Sequence, residues 1–192
     1  MKTTETPRLA PPGAGLPWIE LQIARFVFGM RCRRGDRASF LETFCEEQKK
    51  IHSLVDSFPT ADRGRRILIA RAVGLEDSSR NYSVWMVLDH LRIVNNACVA
   101  IISQLSKGEE MSGAAITATV KPDPAAGASV ESLYKVSCGD VIEVLKSTSE
   151  LKTQPRFSHP WFGPLDAHGW AAMVAMHMGI HRNQLALMLR KG

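Results

Sequence analysis

Apolar residues recur at helical spacing through most of this chain. From about Pro17 to Arg34, Ile19, Ile23, Phe26, Val27 and Met30 form a stripe, and Pro17 suits the first helical position. The Arg33-Arg34-Gly35-Asp36 segment ends that run, and Asp36 is a fitting N-cap for a second helix over about Arg37 to Ser57. There Phe40, Phe44, Gln48, Ile51, Val55 and Phe58 keep near-helical spacing until Pro59, with His52 at the edge of the stripe. The short apolar run Ile67 to Ala70 fits a strand or a buried helical turn, and Gly74 with Asp77-Ser78-Ser79 marks a loop. A strong helix follows over about Tyr82 to Ser106, with Trp85, Leu88, Leu91, Val94, Cys98, Ile101 and Leu105 as its core face. Lys107 to Val130 reads as a long connection, and Ala115 to Val120 within it suits a short strand or arm.

A further helix is expected over about Ser129 to Ser149, with Leu133, Val136, Val141, Val144 and Leu145 as core candidates and a weak point at Gly139. Phe157 to Leu165 is an aromatic-rich ordered loop, after which Asp166 caps a last helix over about Ala167 to Arg190. These elements predict an all-α fold, a four-helix bundle around a single core with an extra N-terminal helix. The connection between residues 107 and 129 is long enough to cross one end of the bundle, which allows adjacent helices to run parallel. Residues 1 to 15 are Pro/Gly/Thr-rich and are expected to be disordered or draped on the surface, leaving residues 16 to 192 as one domain.

Composition changes this picture little. A chain of 192 residues with 45% hydrophobic and 22% charged content can bury a core of its own. Its formal net charge is +5, and its basic clusters, Arg31/Arg33/Arg34/Arg37 and Arg63/Arg65/Arg66/Arg71, lack interleaved aromatics. They read as a solvated basic face, with no element for reading bases, so no nucleic-acid partner is expected. Cys32, Cys45, Cys98 and Cys138 show no Cys-x-x-Cys spacing and read as reduced thiols. The N-terminus lacks an apolar signal-peptide region, and no uncharged apolar run approaches the roughly 18 residues of a membrane span. A soluble cytoplasmic protein with no membrane partner is expected.

The candidate chemistry lies in the last helix. His177 and His181, four apart, stack on one helical face, within the stripe Trp170, Met173, Val174, His177, His181, Leu185 and Met188. Such a pair can share a metal ion, as in His-Glu-x-x-His helices, but Met178 stands where those helices carry their general base. His90, near the core face of another long helix, is a candidate third ligand, and three imidazoles suit a divalent transition metal with a position open to water or substrate. Gln184, and Asp89 beside His90, are candidates to hold imidazoles or solvent from behind. The alternative is a satisfied core histidine pair with no metal. Arg92 and Arg182 are candidates to meet an anionic substrate, with solvent exposure the commoner fate, and His159 and Trp161 either line a pocket mouth or simply pin their loop by packing. Paired Glu-x-x-His motifs of di-iron bundles and the Cys-x-x-Cys-His of covalent haem are absent.

Three segments together resemble the DinB-like superfamily of damage-inducible, metal-binding four-helix bundles. His177-x-x-x-His181-Arg182-x-Gln184 is similar to its closing signature, and Tyr82 to Leu91 resembles its second bundle helix, with a Ser ahead of a ligand His. His159-Pro160-Trp161-Phe162-Gly163-Pro164-Leu165 is similar to a segment before the last helix in one branch, and the likeness spans about residues 36 to 190. The resemblance implies a bundle whose second and third helices run parallel. It implies nickel or zinc held by His90, His177 and His181, and often a homodimer. It further implies a transferase, isomerase or hydrolase-type enzyme acting on a small-molecule substrate, in some relatives with a low-molecular-weight thiol. A non-catalytic stress-response protein that binds metal or a small ligand is the alternative. The N-terminal helix lies outside the likeness, and either caps the bundle or builds a dimer interface.

Overall fold

A computed structural model of the chain describes residues 8–191. Its elements are five helices, α1 (Trp18–Arg34), α2 (Arg37–Asp56), α3 (Val84–Ser106), α4 (Ser129–Ser147) and α5 (Ala167–Leu189). Two small antiparallel hairpins join them, β1 (Ile67–Leu68) with β2 (Asn81–Tyr82), and β3 (Phe157–His159) with β4 (Gly163–Leu165). The fold is thus essentially helical, as the apolar spacing predicts.

Local chemistry starts the helices where the sequence places them. Asp36 caps α2 through the Ser39 N–H at 2.9 Å, and Ser39 returns a bond to the Asp36 N–H. Ser83 caps α3 through the Met86 N–H, and Asp166 caps α5 through the Gly169 N–H at 2.8 Å. Pro17 stands one position earlier than expected, at the N-cap of α1. α4 runs unbroken through Gly139.

Helices α2 to α5 pack around a core that includes Phe44, Ile51, Leu88, Leu91, Ile102, Tyr134, Leu145 and Leu185. Contacts between α3 and α4 advance in the same sense, Trp85 with Glu131 and Asn95 with Ser137, so these neighbours run parallel and the long connection carries the chain back along the bundle. α3 is long and apolar enough, by length and composition, to cross a bilayer, contrary to the expectation that no stretch would be; yet it carries Asp89 and Arg92, and 61% of its most apolar window is buried in the bundle.

Three expectations fail for identifiable reasons. The apolar stripe of α1 faces outward, with Ile19 67%, Ile23 58% and Phe26 67% exposed, because α2 to α5 close the core without it. α1 docks instead by its opposite face, through Phe28, whose ring stacks on Phe162 at 4.1 Å. In α4, Val141, Val144 and Leu145 are buried as expected, but Leu133 and Val136 are 49% and 61% exposed, and Val130, Tyr134 and Cys138 complete the inward face instead. The expected loop at Phe157 to Leu165 is a hairpin whose turn needs Gly163 at φ 75°. The shorter ambiguities resolve as well: Ile67–Leu68 is a strand, and Thr117–Val120 is a 3-10 turn. Residues 1–7 of the expected tail lie outside the described residues. Residues 8 to 15 drape over the surface, the Ala10 N–H donating to Asp77 and the Gly13 and Gly15 N–H groups to Glu76.

Candidate metal centre

The three histidines singled out in the sequence converge. His90, two turns into α3, and His177 and His181, stacked on α5, place their Nε2 atoms together: His177 Nε2 lies 3.2 Å from His90 Nε2 and 3.1 Å from His181 Nε2. His90 and His181 are buried and His177 is half-buried.

Their surroundings settle the tautomers. The Val120 carbonyl, which can only accept, takes a bond from His90 Nδ1 at 2.6 Å, so the lone pair of His90 is on Nε2. The Ser79 carbonyl accepts from Gln184 Nε2 at 2.8 Å, which turns Gln184 Oε1 toward His181 Nδ1 at 2.7 Å. His181 therefore also donates from Nδ1 and offers a lone pair at Nε2. Both lone pairs point at His177 Nε2, where a single proton can serve only one of them. His177 Nδ1 is itself buried without a hydrogen-bond partner among the described residues.

Burial pushes the His90 imidazole down to about 4 from an ordinary 6.5. His177 and His181 are held well below their usual range, first by burial and then by the neighbouring imidazoles. All three are thus neutral at pH 7, the form that ligates. A metal bonded to imidazole nitrogen at about 2.0–2.1 Å separates two such nitrogens by about 3.0 Å in octahedral and about 3.3 Å in tetrahedral geometry. The observed spacings of 3.1 and 3.2 Å fall between these, and a cation is the one partner that satisfies three inward lone pairs at once. The residues fit a divalent metal.

Gln184 stands where the sequence reading put it, behind a ligand. Asp89 does not: its carboxylate accepts from Arg92 and from the Asp123 N–H rather than from an imidazole. It acts one step removed, fixing the segment whose Val120 carbonyl orients His90. Arg92 and Arg182 do not line the triad's cavity, and each is tied to a carboxylate, Asp89 and Glu47 respectively. His52 is half-buried and edge-on to Tyr134, and it is not one of the histidines that converge.

The triad lines a cavity of about 120 Å³ that opens to solvent, and His159 and Trp161 are at its wall, the less expected of their two readings. The loop that carries them is both lining and packed, since Arg25 of α1 donates to the Trp161 carbonyl and Phe28 stacks on Phe162. Sequence reasoning missed Glu76 and Lys121, a buried carboxylate paired at 2.9 Å with a half-buried amine in the cavity lining, where Lys121 also bonds Ser78 and Ser79. They lie 45 residues apart and carry no pattern that links them. Compared with models of known protein families, with curated proteins and with solved structures, the chain matches none.

Proposed function

We propose that this chain is a DinB-like metal protein that binds nickel or zinc at His90, His177 and His181. In this reading it is a thiol transferase, isomerase or hydrolase-type enzyme acting on a small molecule. The observation that carries the reading is the meeting of three Nε2 atoms, two of which, on His90 and His181, have their lone pairs turned inward by Val120 and Gln184. The parallel run of α3 and α4 and the order of the three resembling segments support the family likeness.

A bound divalent metal lowers the pKa of a coordinated thiol or water and so supplies a nucleophile at neutral pH. The chain's own contribution is orientation. Val120 and Gln184 hold two imidazoles in register, and apolar side chains of α3 and α5 line the cavity beside the triad. No free carboxylate lines the cavity among the described residues, since Glu76 is paired with Lys121. A low-molecular-weight thiol brought by the reaction therefore suits the site better than a protein general base. The same observation favours the second reading, a non-catalytic stress-response protein that holds a metal or small ligand. The outward apolar stripe of α1 supports a homodimer, with two copies of that face in contact.

Elemental analysis of protein purified without added metal is expected to find about one nickel or zinc per chain. His90→Ala, His177→Ala and His181→Ala are each expected to lose most of it; metal content unchanged in all three would falsify the triad. A panel pairing glutathione, bacillithiol or mycothiol with electrophiles separates the two readings. Metal-dependent product supports the enzyme, and silence across the panel supports the binder.

A further inference from the structure

A fourth imidazole faces the same cavity without belonging to the triad. His159, at the end of β3, stacks on Phe162 at 4.8 Å and tilts against Trp170 at 5.5 Å. Its Nδ1 accepts a bond from the Trp161 backbone N–H at 3.1 Å. A ring nitrogen that accepts cannot carry the proton of a neutral imidazole, so the proton sits on Nε2. Burial alone pushes this histidine down to about 4, so the neutral ring prevails at pH 7. Nε2 finds no acceptor in the protein among the described residues, and His159 lines the cavity wall.

Most other polar groups there are already engaged; His177 Nδ1 and the Thr117 hydroxyl have no hydrogen-bond partner among the described residues. Lys121 and Glu76 neutralise each other, and the Nδ1 atoms of His90 and His181 are used in orienting their rings. The remaining walls, Val94, Ile101, Trp170 and Met173, are apolar. A carboxylate held at His159 rather than on the triad would be a poorly paired charge against hydrocarbon, whereas a carbonyl needs only one donor.

We propose that His159 is the cavity's ligand-binding donor, and that the ligand is a small, largely apolar, uncharged molecule whose carbonyl or equivalent acceptor meets the Nε2–H. The proposal deepens the metal-centre reading and rests on it only for where the ligand's other end lies, toward the triad. It gives the cavity two recognition elements, the metal site and a neutral donor, set among apolar walls.

Acetophenone and ethylbenzene, equal in shape and differing by the carbonyl, are the probes. Binding to the full-length protein is followed by quenching of Trp161 and Trp170, with the histidine tautomers read by nitrogen-15 NMR on the zinc-loaded protein. The expected results are a His159 Nε2–H tautomer and a preference for acetophenone of about tenfold, the size of one added hydrogen bond of roughly 1.4 kcal/mol. His159→Phe, which keeps the ring stacking, is expected to erase that preference. His159→Gln, whose amide N–H stands near the Nε2 position, is expected to keep most of it. A proton on Nδ1, no carbonyl preference in the wild type, or the same preference in His159→Phe overturns the proposal. Zinc content in the same samples reports on the triad separately: protein without metal that still prefers acetophenone sinks the metal reading and leaves the donor standing.

Discussion

Gln184 shows how much one side chain decides at this site. Its amide is locked by the Ser79 carbonyl, and that lock alone fixes which nitrogen of His181 points inward. Gln184→Ala is expected to weaken zinc or nickel affinity about 10- to 100-fold, read by competition with a chelator of known affinity. Unchanged affinity would mean that His181 holds its tautomer without help. A pH prediction belongs to the same scale. The His159 pKa lies below that of the unfolded chain, down from 6.5 to about 4, so as pH falls through 6.5 the unfolded state takes up a proton that the folded state refuses. Stability present above pH 6.5 is therefore lost progressively toward pH 4, by up to about 3 kcal/mol from this one group. His159→Phe cannot take up that proton, and urea denaturation at pH 7 and pH 4.5 is expected to show a smaller loss for the variant than for the wild type. Equal losses would place the titrating proton elsewhere. At this scale the sequence was informative where a side chain does the chemistry, as with the His177/His181 spacing and Gln184. It was mute where a backbone group does it, because the Val120 and Ser79 carbonyls look like any others in a sequence.

Among the elements, α1 and α4 are where apolar periodicity misled. Both carry helical stripes, but a stripe says only that one face is apolar, not what covers it. In α1 the face is uncovered, and the helix serves as a brace on the cavity mouth. Arg25 and Phe28 hold the β3–β4 loop, while Glu20 bonds Arg71 and the Gly74 N–H on the segment that forms another wall. Phe28→Ala is expected to destabilise the fold by about 3 kcal/mol or more, as for a buried aromatic. Phe26→Asp, on the outward stripe, is expected to leave monomer stability within about 0.5 kcal/mol. Light scattering coupled to size exclusion then tests the dimer: Phe26→Asp should shift the mass from two chains to one. A wild type that is already monomeric would remove α1 as an interface. In α4 only part of the expected stripe is displaced: Val141, Val144 and Leu145 are buried, while Leu133 and Val136 sit one helical position, about 100° of rotation, from buried Tyr134 and Ser137 and stay exposed.

For the molecule as a whole, the cavity is where separate segments are tied together. α3 and α5 supply the ligands, the 107–128 connection and the Asp77–Ser79 turn orient them, and Glu76 gathers the N-terminal segment and Lys121. A metal that binds only the folded chain should therefore stabilise all of it. At a free concentration 100 times its dissociation constant the gain is about 2.7 kcal/mol, and removal by EDTA is expected to lower the midpoint of thermal unfolding by several degrees. A midpoint indifferent to EDTA and to added zinc would argue for the metal-free core-histidine alternative. The sequence by itself determined the helical class, the starts of α2, α3 and α5, and the His177/His181 pair, because each depends on residues within a turn or two of one another; His90 was a candidate only from its place near another helix's core face. Only the tertiary structure decided which apolar faces meet, that Asp89 acts through the Asp123 N–H, that Glu76 pairs with Lys121, and which imidazole nitrogens face inward. The physical reason is range: caps and helical spacing are set by neighbours along the chain. Burial, ion pairing and tautomer are set by groups tens of residues away that the fold alone brings within about 3 Å.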